Sequence, residues 1–514
     1  MRQEYKEQLS WRIAENYSDL EERIMFDIVR RIKKTGEITS TADWQINRLR
    51  ILGYSSEDIE NMIKDTLNKS YPQMFELYDN VIDWEYVRNK DIYEKVNAEF
   101  IPFEENGELQ QITYALARQS CENLENVTQS LGFYLDYGNG NRVMTPLSQV
   151  YSKYLDAACF DIVSGAFDYN SVLRRVVTQL TNSGLRQIDY ASGYSSRVEV
   201  AARRAVMTGI SQLTGKISEI NAEKLGTEHF EVAWHSGARP THAVWQGKVW
   251  TKEQLTTVCG LGSVTGILGA NCYHEYYPFI PGISDRNWTD DWLEAQERKE
   301  NTPKEFRGKE YTVYEAKQRQ RQMETAMRAQ RQKVKLFQDN GADPDEVMLA
   351  RAKYQGQLDE YARFSKKMGL QQERERIYLD MQGRVAPRGR KYGQYILAKE
   401  KENSIIKSEL REIGLKGKIN MRPCKLDISK ATFDDNHINR ERNHNVTLEE
   451  AKSYIENAQF SETVWKGRFE RYYSYDGVTY VNRNNLQIRT AYKPEQFGKT
   501  VQKAMEVLKN HGRQ

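Results

Sequence analysis

The chain has 514 residues, more than one ordinary hydrophobic core accommodates, so two or more domains are expected. Hydrophobic residues make up 39% and charged residues 29%, and mean hydropathy is −0.77, a polar chain with enough apolar material for real cores, which excludes wholesale disorder. The net charge of +3 hides an asymmetry: residues 1–300 carry −11, residues 301–404 carry +8 and residues 405–514 carry +6, so only the later part is suited to meet a polyanion.

The first residues, MRQEYKEQLSW, hold no apolar run of the signal-peptide kind. The longest uncharged stretch, Gln254 to His274, is broken by glycines and polar residues. No membrane insertion or Sec-dependent secretion is therefore expected. Five scattered cysteines, Cys121, Cys159, Cys259, Cys272 and Cys424, fit a reducing cytoplasm and predict no disulfide framework.

From Tyr5 to about Ala222 apolar residues recur three or four apart, as in Leu20, Ile24, Ile28 and Ile32, predicting an all-helical block with breaks at Gly36, Gly53, Gly107 and Tyr137–Asn141. Between Phe230 and Gly282 the texture changes to aromatics, glycines and prolines, with four of the seven histidines close by. A small subdomain of short strands and ordered loops is predicted there. Glycines 260, 262, 266 and 269 have neither a following amphipathic helix nor a closing Lys-Ser or Lys-Thr, so they read as a loop rather than a nucleotide cradle.

Residues 311–337 and 347–368 carry heptad-like seams on either side of the turn Asp339–Asp345, predicting an antiparallel helical hairpin. Its basic outer faces suggest a solvated spacer or, alternatively, an arm against DNA or another subunit. The segment QGRVAPRGRKYG, residues 382–393, reads as a flexible linker. Beyond it a helix through Ile405–Ile413 is expected, then an undecided stretch with His437 and His444, and a capping box at Thr447–Glu450 that opens a helix to about Ala458. A hairpin around Asp476-Gly477, a strand over Leu486–Tyr492 and a closing helix from about Pro494 to Asn510 complete an α+β unit.

Two groups of residues carry chemistry. The first lies in Trp234-His-Ser-Gly-Ala-Arg-Pro-Thr-His242 and Asn271-Cys-Tyr-His274. His235, His242, Cys272 and His274 form a chemically complete ligand set for a structural zinc ion, although the spacing matches no standard finger and a hydrogen-bonded core is the competing reading. The second group is His437, Arg440, His444, Arg489, Thr490 and Tyr492. Metal-free RNA cleavage needs a base, an acid and cations around the phosphorane, and these residue types supply them. His437 is assigned as base or acid with His444 as substitute, Arg440 and Arg489 as phosphate clamps, Thr490 as a donor and Tyr492 as a base-stacking ring. Simple nucleic-acid binding is the alternative, with Arg489 paired to Glu470. A metal nuclease is disfavoured because Asp434 and Asp435 stand without further carboxylates.

The Arg-Pro, the following His, the Gly-Lys at 247–248 and the late Asn-Cys-x-His resemble the phage minor capsid protein family that is distantly similar to the Mu F head-morphogenesis proteins, over roughly the first three quarters of the chain. The resemblance implies a place inside the capsid near the portal, with portal and capsid proteins and phage DNA as partners. The final quarter resembles phage-borne toxin nucleases of the barnase, EndoU, colicin and RelE class, close to polymorphic toxin type 50. That resemblance implies a ribonuclease without a cofactor, host RNA as substrate, action in the host cytoplasm and an immunity protein as partner. An ADP-ribosyltransferase, another toxin type fused to such head proteins, is disfavoured, because the block has no Ser-Thr-Ser strand and no late Glu-x-Glu pair.

The expected fold is multidomain: a mainly α capsid part over 1–225, a small α+β subdomain over 226–300, a basic helical hairpin over 301–381, a linker over 382–404 and an α+β nuclease-like domain over 405–514.

Overall fold

The computed structural model describes residues 3–36, 55–87, 90, 93, 99–138, 140–163, 167–189, 193–380, 382–387, 390–424, 426–465 and 467–512. The expected break at Gly53 lies outside them. Helix α1 (Gln3–Gly36) buries Ile13, Tyr17, Leu20, Ile24, Ile28 and Ile32, a stripe one helical turn apart, and so faces the core with one side only. Around it pack α2 (Ser55–Glu85), α4 (Asp156–Val163), α5 (Tyr169–Ser183) and α6 (Val198–Lys224), while α3 (Gly107–Gln129) packs on α2 and α6. Asn106 and Asp168 cap α3 and α5 by accepting from the backbone N–H of Leu109 and Ser171.

This block is not all-helical as expected. Strands β1 (Leu131–Asp136), β2 (Arg142–Pro146), β3 (Arg186–Ile188) and β4 (Ser195–Arg197) form an antiparallel sheet in the order β2-β1-β3-β4. In β1, Phe133 and Leu135 alternate into the core. The predicted helix break at 137–141 is the turn of a β1–β2 hairpin, where Asp136 Oδ1 accepts from the backbone N–H of Gly138 and Gly140.

Strands β5 (His229–Val232), β6 (Val249–Thr251) and β7 (Tyr276–Phe279) make the small central sheet, in the order β6-β5-β7. Phe230, Val232, Trp245, Leu255, Cys259 and Tyr276 give it a core of its own. Two short helices belong to it, α7 (Pro240–Ala243) and α8 (Lys252–Thr257), the second opened by a Thr251/Gln254 capping box.

After α9 (Asp290–Asn301) and the hairpin β8 (Lys304–Phe306)–β9 (Lys309–Tyr311) come α10 (Val313–Asp339) and α11 (Pro344–Met368), packed as the predicted helical pair. They are not a solvated spacer. Met327, Val334, Leu336 and Phe337 of α10 join the apolar core of α1, Gln332 Nε2 donates to the buried Glu21 at 3.0 Å, and Lys335 pairs with Glu22. Not all of the basic residues that made the hairpin look solvated are on its surface, since Arg331 of α10 is buried and paired with Asp380.

The expected linker is also more ordered than its composition suggests. Val385 and Ala386 are buried against the main core, and α12 (Arg390–Glu412) is helical well before the predicted start at Ile405. Strands β10 (Lys418–Asn420), β11 (Thr432–Phe433), β12 (Phe460–Val464), β13 (Phe469–Tyr473), β14 (Val478–Asn482) and β15 (Gln487–Tyr492) build a six-stranded sheet in the order β10-β12-β13-β14-β15-β11. Only the β11–β15 pair is parallel. Helix α13 (Leu448–Glu456), with the expected capping box, covers one face over Tyr472, Val481, Ile488 and Ala491. The other face is covered by α12 and α14 (Lys499–Asn510) over Phe460, Tyr473 and Val478.

This C-terminal sheet docks on the rest of the chain. The Arg483 guanidinium lies 3.5 Å from the Phe167 ring centroid, Cys424 Sγ is 3.5 Å from Asp168 Oδ2, and Arg422 pairs with Glu346 at 2.9 Å. All five cysteines are buried and none forms a disulfide. Among the described residues no helix is long and apolar enough to cross a membrane.

Candidate functional site

Two motif segments of the central subdomain are fastened to each other by an arginine. Pro240 sets the first turn of α7 and so places His242. The Arg239 guanidinium just before it donates to the carbonyls of Ala270 and Asn271, both at 2.9 Å, which brings Cys272 and His274 alongside. His242, Cys272 and His274 are buried, at 2%, 3% and 1% exposure. His242 Nδ1 lies 3.3 Å from His274 Nδ1, and Cys272 Sγ lies 3.8 and 3.6 Å from these nitrogens.

The outer ring nitrogens decide the tautomers. His242 Nε2 is 2.8 Å from the Thr265 carbonyl, an acceptor only, and therefore carries a proton. His274 Nε2 is 3.0 Å from Gln246 Oε1, which also accepts from the His235 backbone N–H, so this nitrogen is protonated as well. In the neutral imidazoles both Nδ1 lone pairs then face each other and the sulfur, and one thiol proton serves only one of them. Burial pulls the His242 pKa below the usual histidine range, opposing its charged form. The glycine loop that lacked a nucleotide signature has a structural use, since Thr265 within it supplies the acceptor for His242.

His235 stands beside this triangle and is not one of its corners. Its ring centroid is 4.1 Å from that of His274, while the three residues whose donor atoms lie within 4.8 Å of one another are His242, Cys272 and His274. Burial pushes the His235 pKa down to about 4. Its Nε2 is shut off from solvent and has no hydrogen-bond partner, and its Nδ1 is a long 3.4 Å from the Ser236 carbonyl. His235, His242 and His274 all line a cavity of about 460 Å³ shared with α6 and α10.

A family model described as Phage minor capsid protein 2 matches residues 1–363. The chain belongs to this family. Compared with curated proteins and with solved structures, it has no significant match.

In this minor capsid protein the second group of predicted residues lies beyond the matched stretch. His437 and Arg440 sit on one π-helical turn, Asn436–Glu441, packed against β15, which carries Arg489, Thr490 and Tyr492. Asp434 joins the two elements: its Oδ1 accepts from the His437 backbone N–H at 3.1 Å and its Oδ2 pairs with Arg489. The His437 backbone N–H, more than the Arg489 guanidinium, holds the Asp434 carboxyl below the usual carboxylate range. Arg489 thus pairs with Asp434, whereas the alternative partner Glu470 is buried with Arg483 at 3.6 Å. His437 Nδ1 is 2.9 Å from Glu441 Oε2, and Arg440 is 3.7 Å from Asp435.

The register slips between Tyr480 and Val481, so that Thr490 faces Tyr480 and Ile488 faces Val481. Arg489 is the extra, exposed residue of this bulge, which aims it away from the core flanked by Ile488 and Ala491. His444 Nδ1 is 2.9 Å from Gln496 Oε1, and its ring lies 5.5 Å from that of Tyr492, which is half-buried. Glu441, the carboxylate on the His437 ring, was not singled out from the sequence, and Asp434 was weighed there only as a metal ligand. Also missed were Gln246 and Thr265. A legible signal existed for Lys317, Arg321 and Arg328 on the cavity wall, whose spacing puts them on one face of α10.

Proposed function

We propose that this minor capsid protein is a structural component of the phage head, seated inside the capsid near the portal, where it meets portal and capsid proteins and packaged DNA. The family match over residues 1–363 carries the reading. It is supported by the single apolar core that runs from α1 through α10 to Ala386 and makes a stiff body of the expected capsid part. Mass spectrometry of purified, DNA-filled particles tests it, and absence of the chain from them sinks the reading.

For the basic C-terminal domain, nucleic-acid binding without catalysis is the better reading, because carboxylates engage His437, Arg440 and Arg489. One observation favours the second reading, a metal-independent ribonuclease: His437 and Arg489 are held on opposite oxygens of Asp434. Incubation of the full-length protein with tRNA and rRNA in EDTA separates the two. A ribonuclease leaves 2′,3′-cyclic phosphate ends and loses about two to four orders of magnitude in His437→Ala. Binding with no cleavage rejects the ribonuclease, together with an immunity partner.

His242, Cys272 and His274 are read as three ligands of a zinc ion. Bond lengths of about 2.0–2.3 Å around a tetrahedral zinc place ligand atoms roughly 3.3–3.6 Å apart, and the observed separations are 3.3, 3.6 and 3.8 Å. Thr265 O and Gln246 Oε1, accepting from the two Nε2–H groups, orient both imidazoles as ligating histidines require. Elemental analysis tests this: one zinc per chain is expected, lost in Cys272→Ala, and a metal-free protein purified with zinc present refutes it.

A further inference from the structure

The cavity beside the triad is strongly cationic. Seven arginine or lysine side chains and two carboxylates line it. Of the carboxylates, Glu199 is engaged by Arg328 at 2.9 Å, and Glu324 accepts from the Tyr361 hydroxyl at 2.9 Å. Three of the cations are held by neutral groups. Arg239 donates to two backbone carbonyls, Arg204 donates to the Tyr194 hydroxyl at 3.5 Å, and Arg321 lies over the Tyr273 ring at 5.7 Å. Among the described residues no carboxylate comes within ion-pair distance of Arg204, Arg239 or Arg321.

The position of the triad also points to a ligand. His242 and His274 line the cavity while Cys272 stands behind them, so the fourth position of a metal held by the three opens on the cavity side. A volume of about 460 Å³ is that of a small-molecule site and has room for a mononucleotide but not for a duplex.

We propose that this cavity binds a phosphate monoester. The proposal rests on the zinc reading above: one phosphate oxygen completes the metal's coordination, and the others meet Arg204, Arg239 and Arg321. A monocarboxylate leaves most of the cationic surplus unanswered, whereas a phosphate dianion takes several charge-assisted hydrogen bonds at once. The phosphate comes from a free 5′-nucleotide or from a 5′-phosphorylated DNA end.

The test uses full-length protein loaded with cobalt(II) in place of zinc, titrated with inorganic phosphate, dAMP, and a short single-stranded DNA with or without a 5′-phosphate. Phosphate is expected to shift the visible cobalt bands, and acetate is not. A response to dAMP alone identifies a nucleotide site. A response to the phosphorylated oligonucleotide and not to its 5′-hydroxyl counterpart identifies a DNA end. Arg321→Ala and, as a second variant, Arg204→Ala should keep one metal per chain and weaken phosphate about tenfold or more, the usual loss for one charge-assisted contact. One cobalt per chain with no spectral or calorimetric response to millimolar phosphate overturns this proposal and leaves the zinc reading standing. An equal response to acetate overturns it as well. Failure to bind zinc or cobalt removes the zinc reading and the proposal with it.

Discussion

Replacing Glu324 with glutamine should stabilise the protein at pH 8 and leave its stability nearly unchanged near pH 4.5. Glu324 is 2% exposed, and burial pushes its carboxyl up to about 7 against the pull of Arg376. In the unfolded chain the group titrates near 4.5. Between these values the native protein keeps a proton that the unfolded chain has released, so stability falls as pH rises through the window and stays at the lower level above it. At about 1.4 kcal/mol per pH unit, a window of roughly 2.5 units costs about 3 kcal/mol. Glutamine has the shape of the protonated acid and still accepts from the Tyr361 hydroxyl, so it avoids this cost. Thermal melts of both proteins at pH 5 and pH 8 measure the effect. At about 1 °C per kcal/mol for a body of this size, the variant should melt some 3 °C higher at pH 8, with the gap closing towards pH 5. An equal gap at both pH values refutes the reasoning.

Arg331→Met should destabilise the main body by about 3–5 kcal/mol, because it strands the buried Asp380 carboxylate now held by two hydrogen bonds of 2.8 Å. Denaturant midpoints check this, and adding Asp380→Asn should recover part of the loss. Gly209→Ala should cost about 1–3 kcal/mol, read as a lower melting temperature, since its methyl would collide with the Tyr78 and Ser120 hydroxyls, which are hydrogen-bonded to each other at 2.8 Å.

Much was legible in the sequence where a local rule acts alone. The apolar spacing of α1, the Thr447–Glu450 capping box and the Asp476-Gly477 hairpin are set within a turn or two of chain, and they stand where the sequence puts them. Strands β1–β4, β10 and β12 were missed, and β10 shows one reason: its short run pairs only with chain distant in sequence, Ile419 facing Glu462 of β12. The seam of α10 was legible, but its partner was not: Met327 and Phe337 look alike in a two-helix spacer and in the core of α1.

The same division runs through the sites. Residue type alone nominated the histidines and the cysteine, and composition alone gave the C-terminal domain its basic surplus. Only tertiary structure set His235 beside the triangle instead of in it, made Thr265 and Gln246 the groups that fix the tautomers, and joined α10's basic face to a cavity. It also gave Arg489 to Asp434 through a one-residue bulge in β15. Local signals depend on neighbours in the chain, which a sequence displays. A coordination triangle, an ion pair and a cavity depend on distances between segments, which are settled only when long-range packing closes the core.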